Sequence, residues 1–256
     1  MMDDAVRRRV NGHGSGRAGT YGVDGGAIVL PLFGLLEAGL TVATVAMQQR
    51  RRYWLALLTG SAGFVLGGVA GSYLYSSLRG KFTVWAEVLD ELGLHGHERL
   101  LDIGCGRGAV LLLAARRLPS GRAVGADVWR RRDQTGNTRA AAEGNATMEG
   151  VADRVEFADA DARDLPWPVG SFDVVVSNLA IHNITGADGR SQALGEAVRV
   201  LRPGGRLRII DQRVDRYADT LRAAGCVDIT VRRMDWRMWF GTPGDALALV
   251  SATKPH

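Results

Sequence analysis

Between residues 100 and 110 the chain reads LLDIGCGRGAV, an apolar run that breaks into Gly104, Gly106 and Gly108 and resumes at once as a second apolar run. Glycines so spaced let the backbone turn tightly and let a ligand lie against bare main chain. With Ala109 the segment also satisfies the dinucleotide pattern G-x-G-x-x-[GA], so the loop alone leaves a nicotinamide cofactor open. Acids at the ends of the neighbouring apolar runs narrow the chemistry. Asp127 stands 23 residues after Gly104, where a carboxylate accepts hydrogen bonds from ribose hydroxyls. Asp161, in ADADARDLPW, is placed to accept from an adenine amino group while the amide of Ala162 meets the ring; Asp159 and Asp164 compete for that role. Asp102, two residues before the first glycine, suits the ammonium of an amino-acid moiety, a charge for which a nicotinamide cofactor has no use.

These residues need a sheet whose strand ends converge. RLLDI (99–103), RAVGAD (122–127), RVEFAD (154–159), FDVVVSN (172–178) and RLRIID (206–211) read as buried strands. Helical patterns at 84–94, 108–118, 137–149, 188–200 and 216–224 alternate with them, which predicts an α/β fold with a mostly parallel sheet covered on both faces. DITVRRMDW (228–236) and ALALVSAT (246–253) have no helix between them and should form an antiparallel edge hairpin.

The first third of the 256 residues is different. Residues 1–25 are polar and Gly-rich with an Arg7–Arg9 run, and read as a disordered tail. Residues 27–47 and 54–75 are apolar runs, each long enough for a helix to cross a hydrocarbon layer of about 30 Å. QQRRRY joins them, so residues 26–77 are expected to form a two-helix membrane anchor ahead of a domain over 81–256. Gly63, Gly67 and Gly71 repeat on one helical face, with Gly34/Ala38 and Gly39/Ala43 on the other helix, a spacing that allows close helix approach. Glu37 falls in mid-run, where an unpaired charge is costly; facing the second helix or staying protonated would relieve it.

Net charge is +5 and only Lys81 and Lys254 are lysines. The arginines lie scattered or beside apolar segments, which favours a membrane surface over nucleic acid as partner. Cys105 and Cys226 offer neither a CxxC motif nor a disulfide pattern, so no metal site is expected and the compartment is a reducing one. A cytoplasmic domain puts Arg50–Arg52 on the far side of a spanning hairpin, against the positive-inside tendency; a hairpin that does not fully cross removes the conflict.

From about Trp85 onward the ordered set LDIGCGRG, VGADV, DARDLPW, FDVVVSNLAIHN and LRPGG resembles class I S-adenosylmethionine-dependent methyltransferases of the methyltransferase type 11 kind. The resemblance implies a Rossmann-like, seven-stranded sheet with S-adenosylmethionine held by Gly104, Gly106, Asp127 and Asp161, and Asp102 close to its methionine end. Val128 takes the place of the hydrophobic residue that stacks on adenine, and Asn178 at the end of the fourth strand joins the candidate contacts. WRRRDQTGN (129–137) departs from the pattern as a polar, Arg-rich loop. His182, just after the fourth strand, is the candidate general base for an acceptor that arrives protonated. The acceptor expected is a small, lipophilic molecule at the membrane surface. A nicotinamide-dependent oxidoreductase and a cofactor-binding membrane scaffold without catalysis are the alternatives.

Overall fold

A computed structural model describes residues 17–212, 214–240 and 247–256. The Arg7–Arg9 run and the rest of residues 1–16 lie outside them. Seven strands form one sheet in the order β3-β2-β1-β4-β5-β7-β6: β1 Arg99–Ile103, β2 Arg122–Asp127, β3 Val155–Asp159, β4 Phe172–Asn178, β5 Leu201–Asp211, β6 Val227–Arg233 and β7 Ala248–Thr253. Pairs among β1 to β5 are parallel, while β7 runs antiparallel between β5 and β6. The mostly parallel sheet with an antiparallel edge is the Rossmann-like arrangement that the alternation of elements predicts.

The two-residue period of a strand sends its side chains to two cores. Val174 and Val176 of β4 join Leu100 beneath α3 (Lys81–Glu91) and α4 (Ala109–Ala115). Val175 joins Leu101 and Ile103 beneath α6 (Ala187–Val200) and α7 (Tyr217–Ala223), and Phe172 joins them too because the register shifts between Phe172 and Val174. Between them in sequence α5 (Arg139–Met148) begins at Thr138, whose side chain accepts from the Ala141 N–H. With both faces covered, the strand ends are the place where loops and bare backbone can meet a ligand.

The expectation of a disordered tail fails for residues 17–25. Tyr21 is buried, packs edge-on to Phe82 at 4.9 Å, and its hydroxyl donates to Glu149 at 2.7 Å. Asp24 forms an antiparallel bridge with Gln134. These partners lie 61 to 128 residues away in sequence, so composition within the segment carries no sign of them.

Next come α1 (Gly26–Gln49) and α2 (Tyr53–Tyr75), packed as a hairpin and both long and apolar enough to cross a membrane. Leu35, Leu57 and Phe64 stand 73%, 71% and 85% exposed on its outside. Glu37 does face α2: a Cβ on Gly63 or Gly67 would come within 3.4 or 3.3 Å of its carboxylate oxygens. Thr44 and Thr59 hydrogen bond across the pair at 2.8 Å. The glycine seam is shorter than its spacing predicts, because a Cβ on Gly34, Gly39 or Gly71 would meet nothing within 4 Å. A π-helical turn, Ser76–Gly80, carries α2 directly into α3.

Candidate cofactor site

The glycine loop is hooked onto the strand beside it. The N–H groups of Gly104 and Cys105 both donate to the Ala126 carbonyl, at 2.7 and 3.2 Å. Gly104 has φ +73°, and a Cβ there would run into the Ala180 side chain. Gly106 has φ +52°, and its N–H donates to Asp127 Oδ2 at 2.8 Å. The turn therefore requires glycine for its backbone and, at Gly104, for space as well.

A cavity lies over this loop at the ends of β1, β2 and β4. It encloses about 1130 Å³ out to its open mouth. Asp102, Gly104, Gly106, Asp127, Val128, Asp161, Ala162 and Asn178 all line it. The sequence-predicted cofactor residues thus come together in one cavity, although they span 77 positions of chain.

Their chemistry differs from one to the next. Asp102 is 1% exposed, and neither carboxylate oxygen has a partner of full hydrogen-bond geometry within the protein; the Leu111 backbone N–H opposes its burial only in part. Burial, reinforced by the nearby charge of Asp127, pushes its carboxyl up to about 8. A buried acceptor left unpaired at a cavity wall calls for a donor from a ligand, and an ammonium satisfies both the hydrogen bonds and the charge. Asp127 accepts from the Gly106 and Trp129 N–H groups at 2.8 and 2.6 Å, one per oxygen, which leaves each oxygen a second lone pair for a ribose hydroxyl. Burial raises its carboxyl, helped by the charge of Asp133 and opposed by those backbone donors and by the Asn137 side chain.

Val128 is 45% exposed at the cavity, an apolar surface of the kind that takes an adenine face. Asp161 is paired with Arg163, Oδ2 to Nη2 at 2.6 Å, and that guanidinium holds its carboxyl down to about 2. Asn178 is oriented by the buried Trp85, whose indole N–H donates to Asn178 Oδ1 at 2.8 Å. Burial pushes the Cys105 thiol up, as for an unreactive small side chain within the turn. The orphaned Asp102 and the glycine turn make the residues present a fit for S-adenosylmethionine.

His182 is placed differently. Ile181, Asn183 and Ile184 line the cavity, but His182 between them does not. Its Nδ1 lies 2.5 Å from Oδ1 of the fully buried Asp211, and its backbone N–H donates to Oδ2 at 3.0 Å. Tyr217 also donates to Oδ2, at 3.2 Å. A three-residue 3₁₀ turn, Ile181–Asn183, sets this phase, and a loop sequence gives no period from which to read it.

Sequence reasoning also missed cavity residues. Asp24, Lys81, Gln134 and Asn137 line the same cavity. The polar loop 129–137 is legible in sequence only as a departure from pattern; it supplies Gln134, which accepts from the Arg107 N–H at 2.9 Å and donates to Asp24 at 2.9 Å. Lys81 carries a faint signal, as one of two lysines in the chain. Asp24 carries none.

Residues 101–209 match the family model described as "Methyltransferase domain". Among curated relatives, the ubiquinone/menaquinone biosynthesis C-methyltransferase UbiE of Hahella chejuensis is 36% identical over 48% of this chain and 46% of the relative. The 27-O-demethylrifamycin SV methyltransferase of Amycolatopsis mediterranei is 38% identical over 47% of this chain and 40% of its own. The chain spans about half the length, or less, of these relatives. Among solved structures, the 1,6-didemethyltoxoflavin-N1-methyltransferase of Burkholderia thailandensis, bound to its substrate and S-adenosylhomocysteine, superposes with a TM-score of 0.53 at 20% identity, covering 68% of this chain and 78% of that one; this likeness is one of fold. Residues 101–209 thus match a methyltransferase domain family, and the sheet order and glycine turn agree with that match.

Proposed function

We propose that the chain transfers a methyl group from S-adenosylmethionine to a small, lipophilic acceptor at a membrane surface, with residues 26–77 as anchor and the domain over 81–256 facing the cytoplasm. The observation that carries the cofactor assignment is Asp102, a buried carboxylate without a protein partner of full hydrogen-bond geometry at the foot of the glycine loop. Asp102 would hold the ammonium, Asp127 the ribose, and Val128, Asp161 and Ala162 the adenine. When bound, the cofactor supplies a methyl already activated by its sulfonium, so the protein's share is mainly proximity and alignment. The glycine turn keeps bare backbone against the ligand, and Trp85 fixes Asn178 at the wall. His182, held by Asp211, is the proposed proton acceptor for an acceptor molecule that must lose one. Since it does not line the cavity, that role requires the 181–184 turn to shift or a water to intervene.

The membrane assignment rests on the bare apolar hairpin. At its base Tyr75 and Trp236 stack at 5.2 Å, and Trp236 is 66% exposed. Paired aromatics beside an apolar segment suit the headgroup layer. The substrate class follows from that position and from relatives whose names include a quinone-pathway methyltransferase. Titration of the detergent-solubilised full chain with S-adenosylhomocysteine and with NAD tests the cofactor reading. Binding of the first alone supports it, and binding of NAD alone overturns it.

A further inference from the structure

The two chain ends of the apolar hairpin meet at the cofactor cavity. Asp24 lies two residues before α1, and Lys81 follows the π-helical turn that ends α2. Lys81 Nζ donates to both Asp24 oxygens, at 3.0 and 2.8 Å, and is 1% exposed. Ser77 donates to Asp24 Oδ2 at 3.0 Å, and Gln134 to Oδ1 at 2.9 Å. Gln134 in turn lies directly on the glycine loop: it accepts from the Arg107 N–H, and a Cβ on Gly106 would stand 2.8 Å from its Oε1. Backbone bonds reinforce the chain of contacts, with the Gly25 N–H donating to the Asp133 carbonyl at 2.8 Å and the Thr135 N–H to the Val23 carbonyl at 3.1 Å.

Building on the cofactor reading above, we propose that Asp24 and Lys81, the roots of the hairpin, form a wall of the cofactor cavity and act through Gln134 as positioning residues for the glycine loop. The methyltransferase domain then does not begin at α3. Its site is completed by residues 20–25, which reach it from before the hairpin. The physical reason is the charge balance. Lys81 is buried at the cavity wall, and its charge is compensated by Asp24, which only the segment ahead of α1 supplies; removing one partner of a buried pair leaves the other uncompensated. Gln134 would lose its acceptor with Asp24, and with it the orientation that holds Arg107 and Gly106. Because the contacts run continuously from hairpin root to loop, ligand binding and the order of residues 20–26 are linked reciprocally.

The test uses the full chain in nanodiscs. Titration with S-adenosylhomocysteine, KM and kcat for S-adenosylmethionine, and apo melting temperature are read for Asp24→Asn, Lys81→Met, their double variant and Gln134→Leu. Each single change at the ion pair should weaken binding about tenfold or more, and the double variant should recover part of the loss because no unpaired charge remains. Gln134→Leu leaves the ion pair whole, so it should raise KM with kcat nearly unchanged and lower the melting temperature less than either single change at the pair. Hydrogen exchange of residues 20–26 should slow when the ligand is added to wild type. Lower melting temperatures with binding and KM unchanged would show a purely structural pair and overturn the proposal. So would unchanged KM in Gln134→Leu, or exchange in 20–26 indifferent to ligand. A wild type that binds no S-adenosylhomocysteine ends the cofactor reading itself, a result distinct from loss confined to the variants.

Discussion

The Gly106 N–H donates to Oδ2 of Asp127 at 2.8 Å, so the acid at the end of β2 holds the glycine loop of β1 before any ligand arrives. The Trp129 N–H takes the other oxygen at 2.6 Å. One side chain thus ties together two strand ends and still offers lone pairs to the cavity. Asp127→Ala should weaken S-adenosylhomocysteine binding by about 1–3 kcal/mol, because ribose hydroxyls and two loop amides lose a charged acceptor together. Asp127→Asn keeps one acceptor and should lie between. Calorimetry checks both, and an alanine variant with wild-type affinity would remove Asp127 from the site.

Asp102 makes binding depend on pH. Its carboxyl, pushed up to about 8, is protonated in the free protein through neutral pH. Holding an ammonium requires the charged form, so binding releases a proton and affinity should rise with pH up to about 8, by at most about tenfold per pH unit. The same shift bears on stability with the opposite sign. Between the ordinary carboxyl range and about 8 the folded protein binds more protons than the unfolded chain, so the free protein should lose stability as pH rises across that window. Ligand titrations across this range, repeated with Asp102→Asn, check it. The asparagine variant should flatten both slopes, and a wild type with pH-independent affinity would argue against the assignment.

His182 and Asp211 separate chemistry from architecture. Asp211 also accepts from the Tyr217 hydroxyl and the Gln212 N–H, so Asp211→Asn should lower the melting temperature as well as turnover. His182→Ala and His182→Gln test the base alone. General-base loss costs on the order of 10²–10⁴-fold in rate. Both variants should be slow, with S-adenosylhomocysteine affinity retained. Restoration of the rate by glutamine would assign His182 to holding the turn.

The hairpin should behave as a bilayer segment. The full chain should sediment with membranes, resist high salt and be released by detergent. Phe64, 85% exposed on α2, gives the sharper test. Phe64→Asp places a charge on the outside of the pair and should cost about 2.5–3.5 kcal/mol on insertion scales, reducing the membrane fraction. A wild type that fractionates as soluble without detergent contradicts the anchor.

Buried parallel strands made most of this fold legible. β1, β2, β4 and the end of β5 are continuous apolar runs because both faces of the sheet are covered, and the glycine turn with its acids marks their ends. The edge hairpin was legible from the missing helix between the last two strands. Helix ends were less so: α4 stops at Ala115, three residues before Leu118, where the apolar pattern continues into a turn. The wall made by Asp24, Lys81 and Gln134 was not legible, since its members stand 57 and 110 residues from Asp24 and no local period links them. The direction in which His182 turns was not legible for another reason. Its position in the loop was evident, but whether it turned to the cavity or to Asp211 depended on one short turn.

The most direct measurement gives the full chain, in nanodiscs, S-adenosylmethionine labelled in its methyl group together with an extract of membrane lipids, and follows the label by mass spectrometry. Methyl transfer to a lipophilic acceptor predicts label in an organic-soluble small molecule, lost in Asp102→Asn and Asp127→Ala. Bound cofactor with no label leaving it, in any fraction, would contradict methyl transfer and leave a cofactor-binding membrane protein without catalysis.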